Sequence, residues 1–362
     1  MSQLFTNKSK AEIKQVFAIT IAWLIVGTCV SIYDYGVLSS PHIIIKDISF
    51  AEVIIPNLTA VLLASMTGGT ITVKYFQKWI RAMPYGKALA LIIFIYTITC
   101  ALVSLVAGMT FSHVQDGIPI FSKEAFFEGI EFVTGYEFLR IYFLWLFILM
   151  LTNIALLVSD KYGPGVFKDF LLGRYFQPRR EDRIFMFLDL RSSTTIAEKL
   201  GEEKYFEFLK NVFSDVTPSI LFSKGEIYQY VGDEIIVSWK TEKGLEGSNC
   251  INCFFEIKKV LLNKSATYKN RYGIQPEFKA GLHYGHVMAG EIGVVKRDIT
   301  FLGDVLNTAA RIQGKCNEMG VDILLSQHLL KELNLSGNAF NPKEMGDILL
   351  RGKQEKVVLY TV

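Results

Sequence analysis

The stretch IFMFLDLRSSTT, residues 184–195, decides the fold of the second half of this 362-residue chain. Aromatic and branched residues fill its first half, the carboxylate of Asp189 stands near the end of the apolar run, and small hydroxyl residues follow. A buried strand delivers a single charged group to the edge of a sheet in this way. We therefore expect Asp189 to lie at a functional site and not in a core.

A second stretch of the same build is GEIYQYVGDEIIVSW, residues 225–239. It presents Asp233 in a Gly-Asp turn between two strand-like runs, and such a turn favours a hairpin. Carboxylate oxygens are the ligands that hard divalent cations prefer. Two carboxylates at two strand edges therefore predict a metal site.

The composition is rich in apolar residues and argues against some classes of function. Hydrophobic residues make up 51% and charged residues 20%, and the net charge is only +3 with no block of like charges, which argues against nucleic-acid binding. The five cysteines are scattered and imply no disulfide framework. Cys250 and Cys253 have no second pair at zinc-site spacing, so we expect a buried helix pair. We expect His283 and His286 to straddle a strand turn.

Four long apolar runs occupy the first 158 residues, at about 16–32, 54–73, 88–109 and 141–158. Each is close to the roughly 20 residues that a helix needs to cross a bilayer, so the pattern predicts a four-helix transmembrane bundle. Polar residues dilute the second run. We expect them to face neighbouring helices, with a ligand-sensing pocket as the alternative.

The distribution of cations predicts the orientation of these four spans. Lysines and arginines concentrate before the first run, between the second and third, and after the fourth, whereas a loop at about 110–137 holds five acids and one lysine. By the positive-inside rule, both termini and the second half of the chain face the cytoplasm. We predict a multi-pass protein of the cell (inner) membrane, in contact with the lipid bilayer.

The chain divides into a transmembrane domain at 1–159, a cytosolic linker at 160–183 with a short helix at about 166–175, and a soluble domain at 184–362. In the soluble domain strand-like and helix-like stretches alternate, which predicts a layered α+β or α/β fold. We expect a helix at about 246–268, separate strands at about 277–282 and 287–291, and a helix from Asp304 to about Glu318.

Five ordered motifs in the soluble domain resemble the class III nucleotidyl cyclases, the adenylate and guanylate cyclases. They are FLDLRSST at 187–194, YVGDEII at 230–236, GLHYGHVMAGEIG at 281–293, TFLGDVLNTAAR at 300–311 and MGDILLRGK at 345–353. The resemblance covers about 183–362 and implies an α+β, ferredoxin-like (palm-type) catalytic domain.

The resemblance implies that the chain closes ATP or GTP into the 3′,5′-cyclic monophosphate and releases pyrophosphate. Two divalent cations, Mg²⁺ or Mn²⁺, would be the cofactors, with Asp189 and Asp233 as their ligands. The backbone around Leu190 would add a carbonyl ligand or phosphate contacts.

Asn307 and Arg311 stand four residues apart on a predicted helix and so project from the same face. The resemblance implies that Asn307 orients the ribose and that Arg311 meets the charge developing on the α-phosphate. It aligns Arg351 with the triphosphate-binding lysine of the family, with Lys353 as the neighbouring candidate. Because family sites form between two catalytic domains, a homodimer is implied.

The base-reading positions of the family fall on Gln229 and Thr300. Thr300 fits the bacterial adenylate cyclases, whereas Gln229 replaces their usual lysine and can both donate to and accept from a base edge. We therefore expect ATP to be preferred without strict discrimination. The alternatives are a guanylate or mixed-specificity cyclase and a membrane sensor that binds nucleotide without turnover.

Overall fold

The computed structural model describes residues 2–39, 49–76, 79, 83–162, 173–295, 297–333, 340–349 and 356–362. The chain divides into two compact units, Met1–Val158 and Ser159–Val362. Most of the predicted linker helix at about 166–175 lies outside the described residues. The predicted ligands Arg351 and Lys353 lie wholly outside them.

The described part of the first unit consists of helices joined by short non-helical segments such as 117–122. Four of its helices contain segments long and apolar enough to cross a membrane, and each includes one of the four predicted runs: Ile13–Val37, Phe50–Phe76, Gly86–Asp116 and Phe138–Val158. The helices are α1 Ser2–Leu38, α2 Phe50–Ile71, α3 Tyr85–Asp116, α4 Lys123–Thr134 and α5 Tyr136–Tyr162. A π-helical turn, Thr72–Phe76, continues α2.

Helix α4 lies within the segment that the sequence indicated as a loop, and that prediction was wrong. The backbone N–H of Ala125 donates to Ser122 Oγ at 3.1 Å, which caps the helix. Ala125 and Gly129 are buried one turn apart. A Cβ added at Gly129 would lie 2.7 Å from the carbonyl oxygen of Leu105, so α4 packs tightly on α3.

The polar residues of the second apolar run do not all face neighbouring helices. Thr67 is exposed, and its hydroxyl donates to the carbonyl of Leu63 in its own helix at 2.6 Å. Returning the hydroxyl to the helix backbone satisfies it without a neighbour. Ser65 and Thr72, in contrast, are buried. Tight contact between α1 and α2 occurs at Gly27, where an added Cβ would lie 2.6 Å from Val61.

The second unit is built on one eight-stranded sheet. Its strands are β1 Arg179–Leu190, β2 Glu226–Val231, β3 Glu234–Lys240, β4 Phe278–Ile292, β5 Asp298–Leu302, β6 Ile323–Ser326, β7 Lys343–Leu349 and β8 Lys356–Thr361. The order is β2-β3-β1-β4-β6-β8-β7, with β5 paired to β4. Pairing is antiparallel except between β4 and β6.

Helices cover both faces of this sheet, which explains the uninterrupted apolar run in β1. The helices are α6 Ser193–Leu200, α7 Glu202–Phe222, α8 Thr241–Leu245, α9 Asn249–Asn263, α10 Ser265–Tyr272, α11 Asp304–Gly314 and α12 Gln327–Glu332. Even-numbered residues of β1 such as Met186 pack in a core with α7 and α9. Phe185 and Phe187 pack on the other face with α11.

Four sequence expectations in this unit were wrong. The two strands expected at 277–282 and 287–291 form a single strand, β4, and His283 and His286 lie within it and not at a turn. β4 stays continuous because β1 pairs with it along its length. The helix expected at 246–268 is divided into a short 3₁₀ turn, α9 and α10, with Cys250 and Cys253 buried in α9 as predicted. Helix α11 ends at Gly314, four residues earlier than expected.

A buried cation ties the start of β1 to the sheet. The side chain of Arg183 is 1% exposed and forms ion pairs with Glu226 at 2.9 Å and Glu181 at 3.0 Å. Its guanidinium also donates to the hydroxyl of Tyr175 at 3.3 Å and lies 4.4 Å from the centre of the Phe301 ring. Tyr175 itself is 2% exposed, so this residue ahead of β1 belongs to the core of the second unit.

Helix α11 approaches the sheet at Gly281 of β4. A Cβ at this position would lie 2.2 Å from the backbone nitrogen of Gln313 and 2.6 Å from the carbonyl oxygen of Ala309. Both atoms belong to the backbone of α11, which cannot rotate away. The glycine therefore sets how closely α11 packs on β4.

Gly281→Ala is accordingly expected to push α11 away from the sheet. Overpacking of this kind costs about 1–3 kcal/mol, which would lower the melting temperature of the second unit by roughly 2–10 °C. Gly314→Ala is the matched control, because a Cβ there meets nothing within 4 Å. Thermal unfolding of the purified full chain gives the melting temperature of each variant. Equal melting temperatures for Gly281→Ala and Gly314→Ala would contradict the tight contact.

Candidate active site

Asp189 and Asp233 come together at one end of the central strands. Asp189 is the penultimate residue of β1 and pairs in register with Glu234 of β3. Asp233 immediately precedes Glu234 in the tight turn between β2 and β3, where Gly232 has a φ of 61°. The hairpin thus brings the two predicted carboxylates side by side.

The polar contacts of the two carboxylates differ. One oxygen of Asp189 accepts a hydrogen bond from Gln313 Nε2 at 2.9 Å and lies 3.1 Å from Lys279 Nζ. Oδ2 of Asp233 is buried and has no hydrogen-bond partner in the described part of the chain. A buried carboxylate oxygen without a donor is costly and is the expected state of an atom that binds a cation.

Electrostatics at this end of the sheet favour an added positive charge. Burial raises the pKa of Asp189 above its usual range, and although Lys279 opposes this shift, neighbouring Asp233 adds to it. Burial also raises the pKa of Glu234 to about 7, and both aspartates contribute to this increase. Three acidic side chains share the space and one lysine offsets them.

The residues at this site fit divalent cations, provided that groups other than side chains complete the coordination. Within the described ranges no three His, Cys, Asp or Glu side chains are placed to hold a metal together. The protein side chains would therefore supply at most two ligands, Asp189 and Asp233. Leu190 follows Asp189 at the end of β1, and its side chain is buried, so only its backbone is available to the site. Backbone oxygens, water and substrate phosphates would complete the coordination.

Lys279 and Gln313 are site residues that were not predicted from the sequence. Lys279 lies opposite Asp189 in the β1–β4 register, and its side chain is only 13% exposed. Gln313 is buried in α11. The available signals were a single lysine inside the apolar FKAGL of β4 and a glutamine two residues after Arg311.

Asn307 and Arg311 occupy a face of α11 away from the carboxylates. Asn307 is exposed, Arg311 is half-buried, and Arg311 forms no ion pair with another described residue. Residues two apart on a helix are separated by about 200° around its axis, so Arg311 projects to the side opposite Gln313. Because Gln313 contacts Asp189, the Asn307 and Arg311 pair does not reach the carboxylates of the same chain.

The two predicted base-reading positions lie on neighbouring parts of the fold. Gln229 is exposed in the edge strand β2, directly after a bulge that follows Ile227. Thr300 is half-buried in β5, opposite Gly290 of β4. The adjacent rings of Tyr228 and Phe301 are 5.1 Å apart, which brings these two strands together within one chain.

The turn after Leu190 leads into a helix without a side-chain cap. Ser192 has a φ of 55°, which is uncommon for a residue with a Cβ, and its hydroxyl does not bond the first amides of α6. Free amides at a helix N-terminus favour anions. They follow Asp189 by only a few residues, beside the proposed metal site.

Comparison with known families identifies the second unit. A model of the adenylate and guanylate cyclase catalytic domain matches residues 177–362, which is about half of the chain. The chain belongs to the adenylate and guanylate cyclase family. The predicted class III cyclase fold, carried by the same chain as four apolar helices, is thereby confirmed.

Curated relatives of this chain are bacterial and eukaryotic. Adenylate cyclase 2 of Rhizobium meliloti (strain 1021) is 33% identical over 208 residues, which are 58% of this chain and 57% of the relative. The adenylate cyclase of Anabaena cylindrica is 25% identical over 186 residues, 49% of this chain and 36% of the relative. The chain thus matches little more than half of the length of the first relative and less of the second.

The fold of this chain is also similar to that of a solved structure, a bacterial light-regulated adenylyl cyclase. The TM-score is 0.53 at 22% sequence identity, and the alignment covers 62% of this chain and 65% of the other. This similarity supports the fold.

Proposed function

We propose that this chain is a membrane-bound adenylate cyclase that converts ATP to 3′,5′-cyclic AMP and pyrophosphate. The observation that carries the proposal is the side-by-side Asp189 and Asp233 pair with a buried, unpartnered oxygen, inside a domain of the cyclase family. The relative with 33% identity is named an adenylate cyclase, which favours ATP over GTP.

Asp189 and Asp233 would hold two divalent cations, Mg²⁺ or Mn²⁺. When bound, such ions lower the pKa of the attacking ribose 3′-hydroxyl and neutralise the charge of the phosphates. Lys279 now pairs with Asp189. A lysine already placed at this edge by β4 could transfer its contact to the β- and γ-phosphates once a cation satisfies Asp189.

Arg311 and Asn307 would complete the site from a second copy of the chain. The opposite orientations of Gln313 and Arg311 on α11 support this, because within one chain the helix directs Gln313, and not Arg311, at the carboxylates. In a symmetric homodimer each copy would supply carboxylates to one site and Arg311 to the other. Arg311 would then stabilise charge developing on the α-phosphate, and Asn307 would orient the ribose.

The four apolar helices support a membrane location for the enzyme. The excess of lysine and arginine in three of the segments that flank them supports a cytoplasmic position for both termini, and so for the catalytic domain. Cyclic AMP would be released into the cytoplasm.

The purified full chain, incubated with Mn²⁺ and either ATP or GTP, tests the proposal by chromatographic identification of the products. Cyclic AMP and pyrophosphate in equal amounts are expected, with ATP used faster than GTP. Predominant cyclic GMP would favour the guanylate or mixed-specificity alternative. A folded protein that binds nucleotide without turnover would favour the sensor.

Gln229 offers a test of base reading. Gln229→Glu leaves only acceptors, which suit the N1–H of guanine and repel the N1 lone pair of adenine. A hydrogen bond lost to adenine, or one gained to guanine, is expected to lower the ratio of cyclic AMP to cyclic GMP about tenfold. Gln229→Met is the control. Its side chain can neither donate nor accept a strong hydrogen bond, so it should slow the reactions of both ATP and GTP. An unchanged ratio in Gln229→Glu would show that Gln229 does not contact the base.

A further inference from the structure

The first unit contains an elongated, partly open cavity that the proposed cyclase reaction does not use. Its volume is about 110 Å³, and its walls are formed by α1 to α5 together with the π-helical turn, with Phe132 as the contribution of α4. Along α1 alone the lining extends from Trp23 to Asp34, which is about 16 Å at the rise of a helix. Most of the lining side chains are apolar, among them Val61, Ala64 and Leu149.

Among the described residues of the cavity wall, Thr72 has a buried hydroxyl without a partner. The side chain of Thr72 is 1% exposed, and its Oγ1 makes no hydrogen bond within the described part of the chain. The other threonines of the same span behave differently: the hydroxyls of Thr59, Thr67 and Thr70 donate to backbone carbonyls one turn earlier, at 2.8, 2.6 and 2.7 Å. A buried hydroxyl without a partner is unfavourable unless something supplies an acceptor.

Thr72 is also where α2 loses its regular hydrogen-bond pattern. The π-helical turn Thr72–Phe76 starts at this residue. Such turns are rare and occur frequently at functional sites. The unpartnered hydroxyl and the irregular backbone therefore mark the same end of the cavity.

The charged residues of the cavity satisfy one another. Arg140 Nη1 lies 2.7 Å from Asp34 Oδ1, and Asp34 is only 13% exposed. Because this pair is neutral as a whole, the cavity does not require a charged occupant. The occupant is set by the apolar walls and by the Thr72 hydroxyl.

We propose that this cavity binds a straight-chain aliphatic molecule that carries one uncharged oxygen group, a hydroxyl or a carbonyl, placed to accept a hydrogen bond from Thr72. One water-sized group needs about 10–15 Å³ of such volume, so the cavity has room for roughly 7–11 heavy atoms. An eight-carbon alcohol is a suitable size. This assignment goes beyond the cyclase reaction and does not depend on it.

Photolabelling of the purified full chain tests the assignment with a diazirine derivative of 1-octanol as the probe. Labelled residues are mapped by mass spectrometry, and competition is measured with unlabelled 1-octanol and with n-octane. We expect labels on cavity residues such as Trp23 and Tyr96. We also expect 1-octanol to compete roughly 2–10-fold better than n-octane, which is the contribution of one hydrogen bond.

Matched variants separate the cavity from the lipid-facing surface. Thr72→Val should make 1-octanol and n-octane compete equally, whereas Thr67→Val should retain the preference. Ala64→Leu fills the cavity and should abolish its labelling, whereas Ala90→Leu, on an exposed position of α3, should not. Circular dichroism establishes that each variant is folded.

The outcomes are independent of catalysis because the readout is labelling. Labels confined to exposed residues such as Phe94 and Phe143, without competition, would overturn the proposal. So would unchanged cavity labelling in folded Ala64→Leu. Equal competition by 1-octanol and n-octane in the wild-type chain would show that Thr72 bonds to water and not to a ligand.

Discussion

Asp233→Asn is expected to reduce cyclic nucleotide formation roughly 10³-fold, because a metal ligand that contributes about 4 kcal/mol to the transition state is lost. The substitution preserves the shape of the side chain but removes its charge. Oδ2 of Asp233 is buried and unpartnered, so the folded protein should not be destabilised by the change. An inactive variant with an unchanged or higher melting temperature is therefore expected.

Glu234→Gln is the matched control for this variant. Glu234 is the next residue and shares the same acidic environment, but we do not assign it as a ligand. Initial rates at saturating Mn²⁺ should fall less than tenfold in Glu234→Gln. Comparable losses in the two variants would mean that general electrostatics, and not metal ligation by Asp233, control the rate.

The second large effect is the rescue of two inactive variants by each other. Asp233→Asn and Arg311→Ala are each expected to be inactive, but in a mixed dimer one of the two sites contains an intact Asp233 and an intact Arg311. Since half of randomly formed dimers are mixed and each has one working site, co-expression should restore about a quarter of wild-type activity.

Co-expression of Asp189→Asn with Asp233→Asn provides the control for rescue. Both aspartates belong to the same half of the site, so every dimer of these two chains lacks an intact carboxylate pair. Rates of cyclic AMP formation in membranes of equal protein content distinguish the two combinations. If Asp233→Asn and Arg311→Ala did not rescue each other, the site would lie within one chain.

The local parts of the site could be predicted from the sequence. Asp189 and Asp233 are placed by a strand and by a hairpin turn, and both are encoded in short stretches. The spacing of Asn307 and Arg311 likewise fixes their shared face on α11. In each case, neighbours along the chain determine the geometry.

Lys279 and Gln313 could not be predicted, because they reach Asp189 through contacts distant in sequence. Lys279 depends on the pairing of β4 with β1, about 90 residues away, and Gln313 on the close approach of α11 to Gly281. The continuity of β4 was missed for the same reason. Its glycines are typical of a turn, and pairing with β1 keeps this segment extended.

The position of Tyr175 bears on how the catalytic unit can be isolated. Its ring is buried among Phe185 and Phe301, its hydroxyl accepts from Arg183, and its carbonyl accepts from the backbone of Glu291 at 3.1 Å. The family match begins two residues later, at 177. A recombinant fragment cut at the alignment boundary would therefore have a hole in its core and an arginine short of one acceptor, and soluble, crystallisable protein should be sought from fragments that start upstream of Tyr175.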